Sequence, residues 1–233
     1  MKIAMWSGPR NLSTAMMYAF AARGDCAAWD EPFYAAYLSA TGIDHPMKAA
    51  ILAENVTNPA EVAARCAGPN PGGKAHFYQK HMALHMIDGM PLDWADGCVN
   101  VHLIRHPARV VASYAAKREH PTLADIGYAQ HAELFARFPG PVIDATDIRA
   151  NPEAMLQTLC AEIGLAFTPG MLAWPAGPKP FDGTWAPHWY AAIHRSTGFA
   201  GAEGPMPELD GDMAELARSA MPFYEDLAAR KIS

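Results

Sequence analysis

The chain has 233 residues, of which 51% are hydrophobic and 18% charged, and a formal net charge of -6. That composition excludes a disordered or membrane-embedded chain and fits one globular core. Twenty-four acidic residues against eighteen Lys plus Arg also weigh against non-specific attraction to nucleic acid or anionic lipid, so an anionic ligand would need a few local groups to hold it.

Taken in chain order, Lys2 to Trp6 is a short apolar strand that turns polar at Ser7-Gly8-Pro9, too soon for a secretory signal. Ser13 opens a run of Ala, Met, Tyr and Phe that reads as a helix to Arg23. Cys26 to Trp29 reads as a second strand, stopped by Asp30-Glu31-Pro32. Helices are expected near Phe33 to Ala40 and Pro59 to Ala67, the latter capped by Asn58 with Pro59 at its first position. His76 to Gln79 reads as a third strand, His81 to Ile87 as a short helix and Cys98 to Ile104 as a buried strand.

Pro107 then begins a helix to about Lys117, and Leu123 to Phe138 is another. Pro141 to Asp144 is a fifth strand, followed by a helix from Pro152 to Ile163. Residues 169–207 are rich in Pro, Gly and Trp and precede an amphipathic helix from Met213 to Lys231. Alternating strands and helices predict an α/β fold of the P-loop type: three layers, α/β/α, around a mostly parallel central sheet of about five strands, with ligands at the strands' carboxyl ends. No apolar run approaches the roughly 18 residues of a membrane span. Cys26, Cys66, Cys98 and Cys160 form no CxxC pair and read as reduced thiols of a cytoplasmic protein.

Two clusters point to anion binding. Ser7-Gly8-Pro9-Arg10-Asn11-Leu12-Ser13-Thr14 lies where a strand hands over to a helix, so backbone N–H groups and the helix N-terminus can converge on a phosphate. Arg10 adds a charge and a bidentate fork, and Ser13 and Thr14 can cap the helix and donate hydroxyls. The plainer alternative is an ordinary turn with a Ser cap. The loop lacks the second Gly and the Lys of GxxxxGK[ST], which argues against a kinase or hydrolase of Mg-ATP. In the second cluster, the strand Val101 to Ile104 is followed by Arg105 and Pro107, with Ser113 on the second turn of the next helix. Arg105 and Ser113 would share a second phosphate; a surface ion-pairing Arg and an ordinary helix Ser are the alternative.

With both clusters in view, the chain resembles the sulfotransferase family, in which an apolar strand followed by R-x-P-x-x-x-x-x-S binds the 3'-phosphate of 3'-phosphoadenosine 5'-phosphosulfate (PAPS). Arg105, Pro107 and Ser113 match that pattern, and the loop from Ser7 to Thr14 is similar to the family's 5'-phosphosulfate loop. Asp144-Ala145-Thr146-Asp147-Ile148 and the helix after it look like a further family segment, so the resemblance covers roughly residues 1–167. It implies a single domain over 1–233, with 169–207 as a lid or acceptor-side region. It also implies PAPS as donor, adenosine 3',5'-bisphosphate as product, Gly8 to Thr14 around the 5'-end and Arg105 with Ser113 around the 3'-phosphate.

Sulfuryl transfer needs a base for the acceptor and charge stabilisation for the leaving group. Arg10 fits the second need. The resemblance suggests Glu31 as base, with His81 as its rival because a related K-x-H motif is matched here with the His displaced by one; Lys80 of that motif would touch the sulfonate or stabilise the bridging oxygen. It also offers Lys179, Trp185 and Arg195 as late nucleotide contacts. His81 and His85 have a zinc-protease spacing without its Glu, so no metal is expected. The acceptor is expected to be a small molecule bearing a hydroxyl or amine, with no nucleic-acid or membrane partner and an open oligomeric state. A P-loop kinase or hydrolase and a catalytically silent nucleotide-binding protein remain alternatives.

Overall fold

In the first strand, Ile3 and Met5 enter one core while Ala4 and Trp6 enter another, and all four are fully buried. A strand that is apolar on both faces must be covered on both. The computed structural model, which describes residues 1–115 and 121–233, meets that requirement with a five-stranded parallel sheet. Its strands are β1 (Lys2–Ser7), β2 (Cys26–Asp30), β3 (His76–Met82), β4 (Val99–Ile104) and β5 (Val142–Asp144), in the spatial order β2-β3-β1-β4-β5.

The connections are helical. Helix α1 (Ser13–Ala22) joins β1 to β2, and α2 (Tyr34–Thr41), α3 (Lys48–Glu54) and α4 (Pro59–Ala67) lie between β2 and β3. Between β4 and β5 come α5 (Pro107–Ala115), α6 (Leu123–Ile126) and α7 (Tyr128–Arg137). After β5 follow α8 (Ala145–Ala150), α9 (Pro152–Glu162), α10 (Ala186–Trp189), α11 (Ala191–His194) and α12 (Gly211–Ala228).

On one face, Met16 and Phe20 of α1 and Leu156 and Leu159 of α9 pack on Ile3, Tyr78 and Val101. On the other, Phe33, Val62, Leu134 and Phe138 pack around Trp6. Each such side chain is worth about 1.5–3 kcal/mol when fully buried, against tenths of a kcal/mol for helix propensity, so the two faces hold the layers together. No helix of the described residues is long and apolar enough to cross a membrane.

Local signals fixed some element ends. Asn58 accepts a hydrogen bond from the Ala60 amide at 3.0 Å and Pro59 opens α4, as expected. Elsewhere tertiary pairing overrode the local reading. The short helix expected at His81 to Ile87 is absent, because β3 continues to Met82, which pairs with Ser7 of β1; only a 3-10 turn at Ala83–His85 remains. The single helix expected from Leu123 to Phe138 is split at Gly127, whose φ of 68° cannot continue a right-handed helix. Helices α3 and α8 were not anticipated, and the expected extension of α5 to Lys117 lies outside the described residues.

The chain moves from β3 on one side of β1 to β4 on the other, which makes the carboxyl ends of β1 and β4 flank a topological switch point. Ser7 is in register with Leu103. The loop after β1 and Arg105 after β4 therefore leave the sheet side by side.

Candidate active site

The loop from β1 to α1 is held in an uncommon shape. Arg10 and Leu12 have φ of 61° and 69°, left-handed for residues with a Cβ, at a cost of about 1–3 kcal/mol each. Its surroundings compensate. Arg105 Nη1 donates to the Arg10 carbonyl at 2.7 Å, and Asn11 Nδ2 donates to the Leu103 carbonyl at 3.2 Å. Gly8 is required by close approach, since a Cβ there would lie 2.8 Å from the Ile126 carbonyl oxygen.

One expectation is corrected here: Ser13 does not cap α1. Leu12 occupies the cap position and makes no side-chain cap bond, so the first-turn amides have no side-chain acceptor. Arg10 Nε donates to Ser113 Oγ at 2.8 Å, and among the described residues Arg10 is in an ion pair with no carboxylate. Burial, and then the positive charge of Arg105, lower its pKa from the usual value.

Beside it lies a second cationic cluster, only partly anticipated. Arg105 from the end of β4, Arg109 from α5 and Arg149 from α8 converge on the carboxylate of Glu203. Tyr128 OH fixes the main chain of Arg105 by donating to its carbonyl at 2.6 Å. Asp144 caps α8 by accepting from the Thr146 amide at 2.7 Å and is itself held by Tyr224 OH at 2.8 Å, so Thr146 and Arg149 face the cluster. Thr146 Oγ1 donates to Glu203 at 2.9 Å. Burial raises the Glu203 carboxyl, but Arg105, assisted by Thr146 and Arg109, outweighs it and holds the group below its ordinary range.

A third group closes the other side. Lys80 Nζ donates to Asp30 Oδ1 at 2.8 Å, Glu31 Oε1 at 2.6 Å and Tyr190 OH at 2.8 Å. Its three donors are thereby committed within the cluster, so the expected contact of Lys80 with a sulfonate is replaced by a hold on Glu31. Burial disfavours the Lys80 charge, but Asp30 and Glu31 more than offset it and keep the pKa well above its usual value. Glu31 sits at φ 41°, and burial raises its carboxyl pKa against the pull of Lys80. Its Oε2 lies 3.9 Å from His85 Nε2. Tyr190 OH donates to Asp30 Oδ2 at 2.7 Å and the Gly183 amide to the same oxygen at 3.1 Å, tying residues 183–190 to the end of β2.

Arg10, Ser13, Thr14, Glu31, Lys80, Arg105, Ser113 and Trp185 line one cleft of about 440 Å³. The guanidinium groups at 10 and 105 therefore open into the same space. His81 does not. Strand alternation sends Lys80 to Asp30 and His81 to the opposite face, where Trp6, Phe33 and Trp94 surround its ring; burial lowers its pKa to about 3. A group away from the cleft, and so weakly basic, cannot take a proton from a bound acceptor. His81 lies in β3 and His85 in the 3-10 turn after it, so the helical i, i+4 arrangement that their spacing suggested is not formed.

Lys179 also lies elsewhere. Its Nζ donates to the carbonyls of Pro175 at 2.6 Å and Gly177 at 2.8 Å. Arg195 is exposed and is absent from the cleft walls. Conversely, Arg109, Thr146, Arg149, Glu203, Tyr190 and His85 were not assigned a role in the site from the sequence. Arg109 sits within the Arg105–Ser113 segment and Thr146 within the Asp144–Ile148 segment, and those two carried a local signal; the distant Glu203 carried none.

Comparisons with known proteins give the family of the chain. The sulfotransferase domain family matches residues 1–231, and the chain belongs to that family. It is 33% identical over 231 residues to branched-chain-amino-acid aminotransferase-like protein 2 of Arabidopsis thaliana, and 34% identical over 230 residues to protein 1 of the same name. Each match covers 97% of this chain and 41% of the relative; the chain thus spans about two-fifths of the length of these curated relatives. Two solved structures are also similar. The sulfotransferase domain from the curacin biosynthetic pathway aligns at a TM-score of 0.48 and 14% identity, over 94% of this chain and 96% of that one. The sulfotransferase domain from the Synechococcus PCC 7002 olefin synthase aligns at 0.47 and 15%, over 94% of each.

Proposed function

We propose that this chain acts as a single domain transferring a sulfuryl group from PAPS to the hydroxyl of a small apolar alcohol or phenol. The observation that carries the reading is the pair of adjoining cation sites, Arg10 with Ser113 and Arg105 with Arg149, on one cleft. A nucleotide with phosphates at two positions needs such a pair. Its fit is supported by charge: Arg10, Arg105, Arg109 and Arg149 gather there, and Glu203 is the carboxylate that three of them share. A buried carboxylate already stands in for an anion at the Arg105 end.

PAPS, when bound, supplies the sulfuryl group and leaves as adenosine 3',5'-bisphosphate. Arg105 and Arg149 bind the 3'-phosphate, with Ser113 standing between that site and Arg10, while Gly8 to Thr14, through Arg10, the hydroxyls of Ser13 and Thr14 and the uncapped amides of α1, hold the 5'-end and meet the negative charge that develops there. Lys80 fixes Glu31 through Oε1, which leaves Oε2 to accept the acceptor's proton. The raised Glu31 pKa makes it a stronger base than a free carboxylate. Tyr34, Met82, Leu84, Trp185, Trp189 and Ile193 line the same cleft and favour an acceptor with an apolar body. Residues 169–207, which carry Trp185 and Trp189, serve as its acceptor-side wall. The reduced cysteines fit action in the cytoplasm.

Calorimetry with adenosine 3',5'-bisphosphate, and transfer of labelled sulfate from PAPS to a panel of small alcohols and phenols, test the reading. Glu31→Gln is expected to lower kcat by about 10²–10⁴-fold with bisphosphate affinity retained. Absence of bisphosphate binding, or turnover of Mg-ATP in its place, would overturn the assignment.

A further inference from the structure

Residues 199–210 form a strap without regular secondary structure, and positions 200–202 and 204–206 are exposed. Glu203 is the exception, with its side chain 1% exposed. Its Oε1 accepts from Arg105 Nε at 2.9 Å and Arg149 Nη1 at 3.1 Å. Its Oε2 accepts from Thr146 Oγ1 at 2.9 Å and lies 2.8 Å from Arg109 Nε. The same arginines hold the neighbouring main chain: Arg149 Nε donates to the Gly201 carbonyl at 2.8 Å and Arg109 Nη2 to the Gly204 carbonyl at 2.7 Å. Among the described residues, the side-chain bonds that reach 200–207 come from this cluster.

Burying a carboxylate is tolerable only when it is compensated, and here the compensation is in excess. Three guanidinium groups face one carboxylate, which leaves about two positive charges unmatched. A phosphate monoester brings roughly -1.5 to -2 charges and three acceptor oxygens, so it satisfies the cluster better than Glu203 does. Arg105 and Arg149 also line the cleft, which gives a bound nucleotide access to the cluster.

We propose that Glu203 is a built-in competitor for the 3'-phosphate: its carboxylate occupies the Arg105–Arg109–Arg149 cluster until the 3'-phosphate of a nucleotide whose 5'-end is held at the Arg10 loop displaces it and frees the strap. The inference rests on the nucleotide reading above and adds a selection rule to it. A nucleotide with a 5'-phosphate alone has nothing to exchange for Glu203. The bisphosphate does, so the 3'-phosphate both anchors the ligand and opens the strap.

The test compares the parent with Glu203→Gln by calorimetry, using adenosine 3',5'-bisphosphate and adenosine 5'-monophosphate. Removing the competing charge is expected to tighten bisphosphate binding about tenfold, the scale of one charge-assisted contact, and to leave the monophosphate nearly unchanged. Equal or weaker bisphosphate binding by Glu203→Gln overturns the competitor while the donor assignment stands. Failure of both folded proteins to bind the bisphosphate overturns both. Should Glu203→Gln not fold, the parent decides: a Glu-specific protease followed by mass spectrometry is expected to cut after Glu203 several-fold faster with the bisphosphate than with the monophosphate, and equal rates overturn the proposal.

Discussion

The guanidinium of Arg105 donates to the main-chain carbonyl of Arg10 at 2.7 Å, so the two cationic groups of the cleft are mechanically one. Arg105 carries charge at one end of the cleft and, through this bond, fixes the left-handed turn that aims Arg10 at the other. Arg105→Lys keeps the charge but loses the planar fork. It is expected to weaken adenosine 3',5'-bisphosphate binding by about 10–100-fold, the loss of one or two charge-assisted hydrogen bonds. Calorimetry on the folded variant measures this, and an affinity equal to the parent's would contradict the coupling.

Lys80 is buried with two carboxylates, Asp30 and Glu31. Lys80→Met would leave both without a counter-charge, and the loss of one partner from a buried pair costs about 3–5 kcal/mol. Glu31→Gln removes one of two negative charges and leaves Lys80 paired with Asp30, so its cost is nearer about 1 kcal/mol. Urea unfolding of the two variants is expected to differ accordingly. Equal losses would mean that Lys80 is neutralised chiefly by Glu31.

What could be read in advance depended on how local the cause was. Val101 to Ile104 announces a doubly buried strand by its own run of apolar residues, and Asn58-Pro59 announces a helix start by side-chain chemistry one residue away. The end of β3 could not be read that way, because Met82 is extended only through pairing with Ser7 from a distant part of the chain. The site divides similarly. Arg10 and Arg105 stand at strand-to-helix junctions whose sequence names them, and Ser113 follows in α5 at the spacing of the R-x-P-x-x-x-x-x-S pattern, whereas Glu203 reaches Arg105 from a loop with no pattern of its own. Lys179 and Arg195 were drawn from a comparable loop, where composition does not encode the path of the chain. His81 failed for a simpler reason: with Lys80 committed to Asp30, a strand sends the next side chain to the other face.

Gly8 tests the packing behind the loop from β1 to α1. A Cβ there would come within 2.8 Å of the Ile126 carbonyl oxygen, a main-chain atom that cannot rotate aside. Gly8→Ala is therefore expected to destabilise the protein by about 1–3 kcal/mol, the usual range for overpacking, and to weaken bisphosphate binding by displacing the Arg10 turn. Denaturant unfolding and calorimetry on the same sample would reveal both effects, and a variant as stable as the parent would show that α6 can move away.

His81 sets a different dependence, on acidity. Its pKa is lowered to about 3 by burial among Trp6, Phe33 and Trp94, against an ordinary value near 6.5 in the unfolded chain. The folded state thus binds fewer protons than the unfolded one between those values, and the stability contributed by neutral His81 is complete above about 6.5 and falls away as pH drops toward about 3. The slope is about 1.4 kcal/mol per pH unit, or about 2 kcal/mol between pH 6.5 and 5. His102, lowered to about 4, and His131 move in the same direction. His81→Phe keeps a ring in the cage but cannot be protonated, so its loss of stability from pH 7 to pH 5 is expected to be smaller than the parent's by about 2 kcal/mol. Its pH–rate profile should keep the parent's shape, since His81 does not reach the cleft. A profile that loses its acid limb in this variant would return His81 to the role of base.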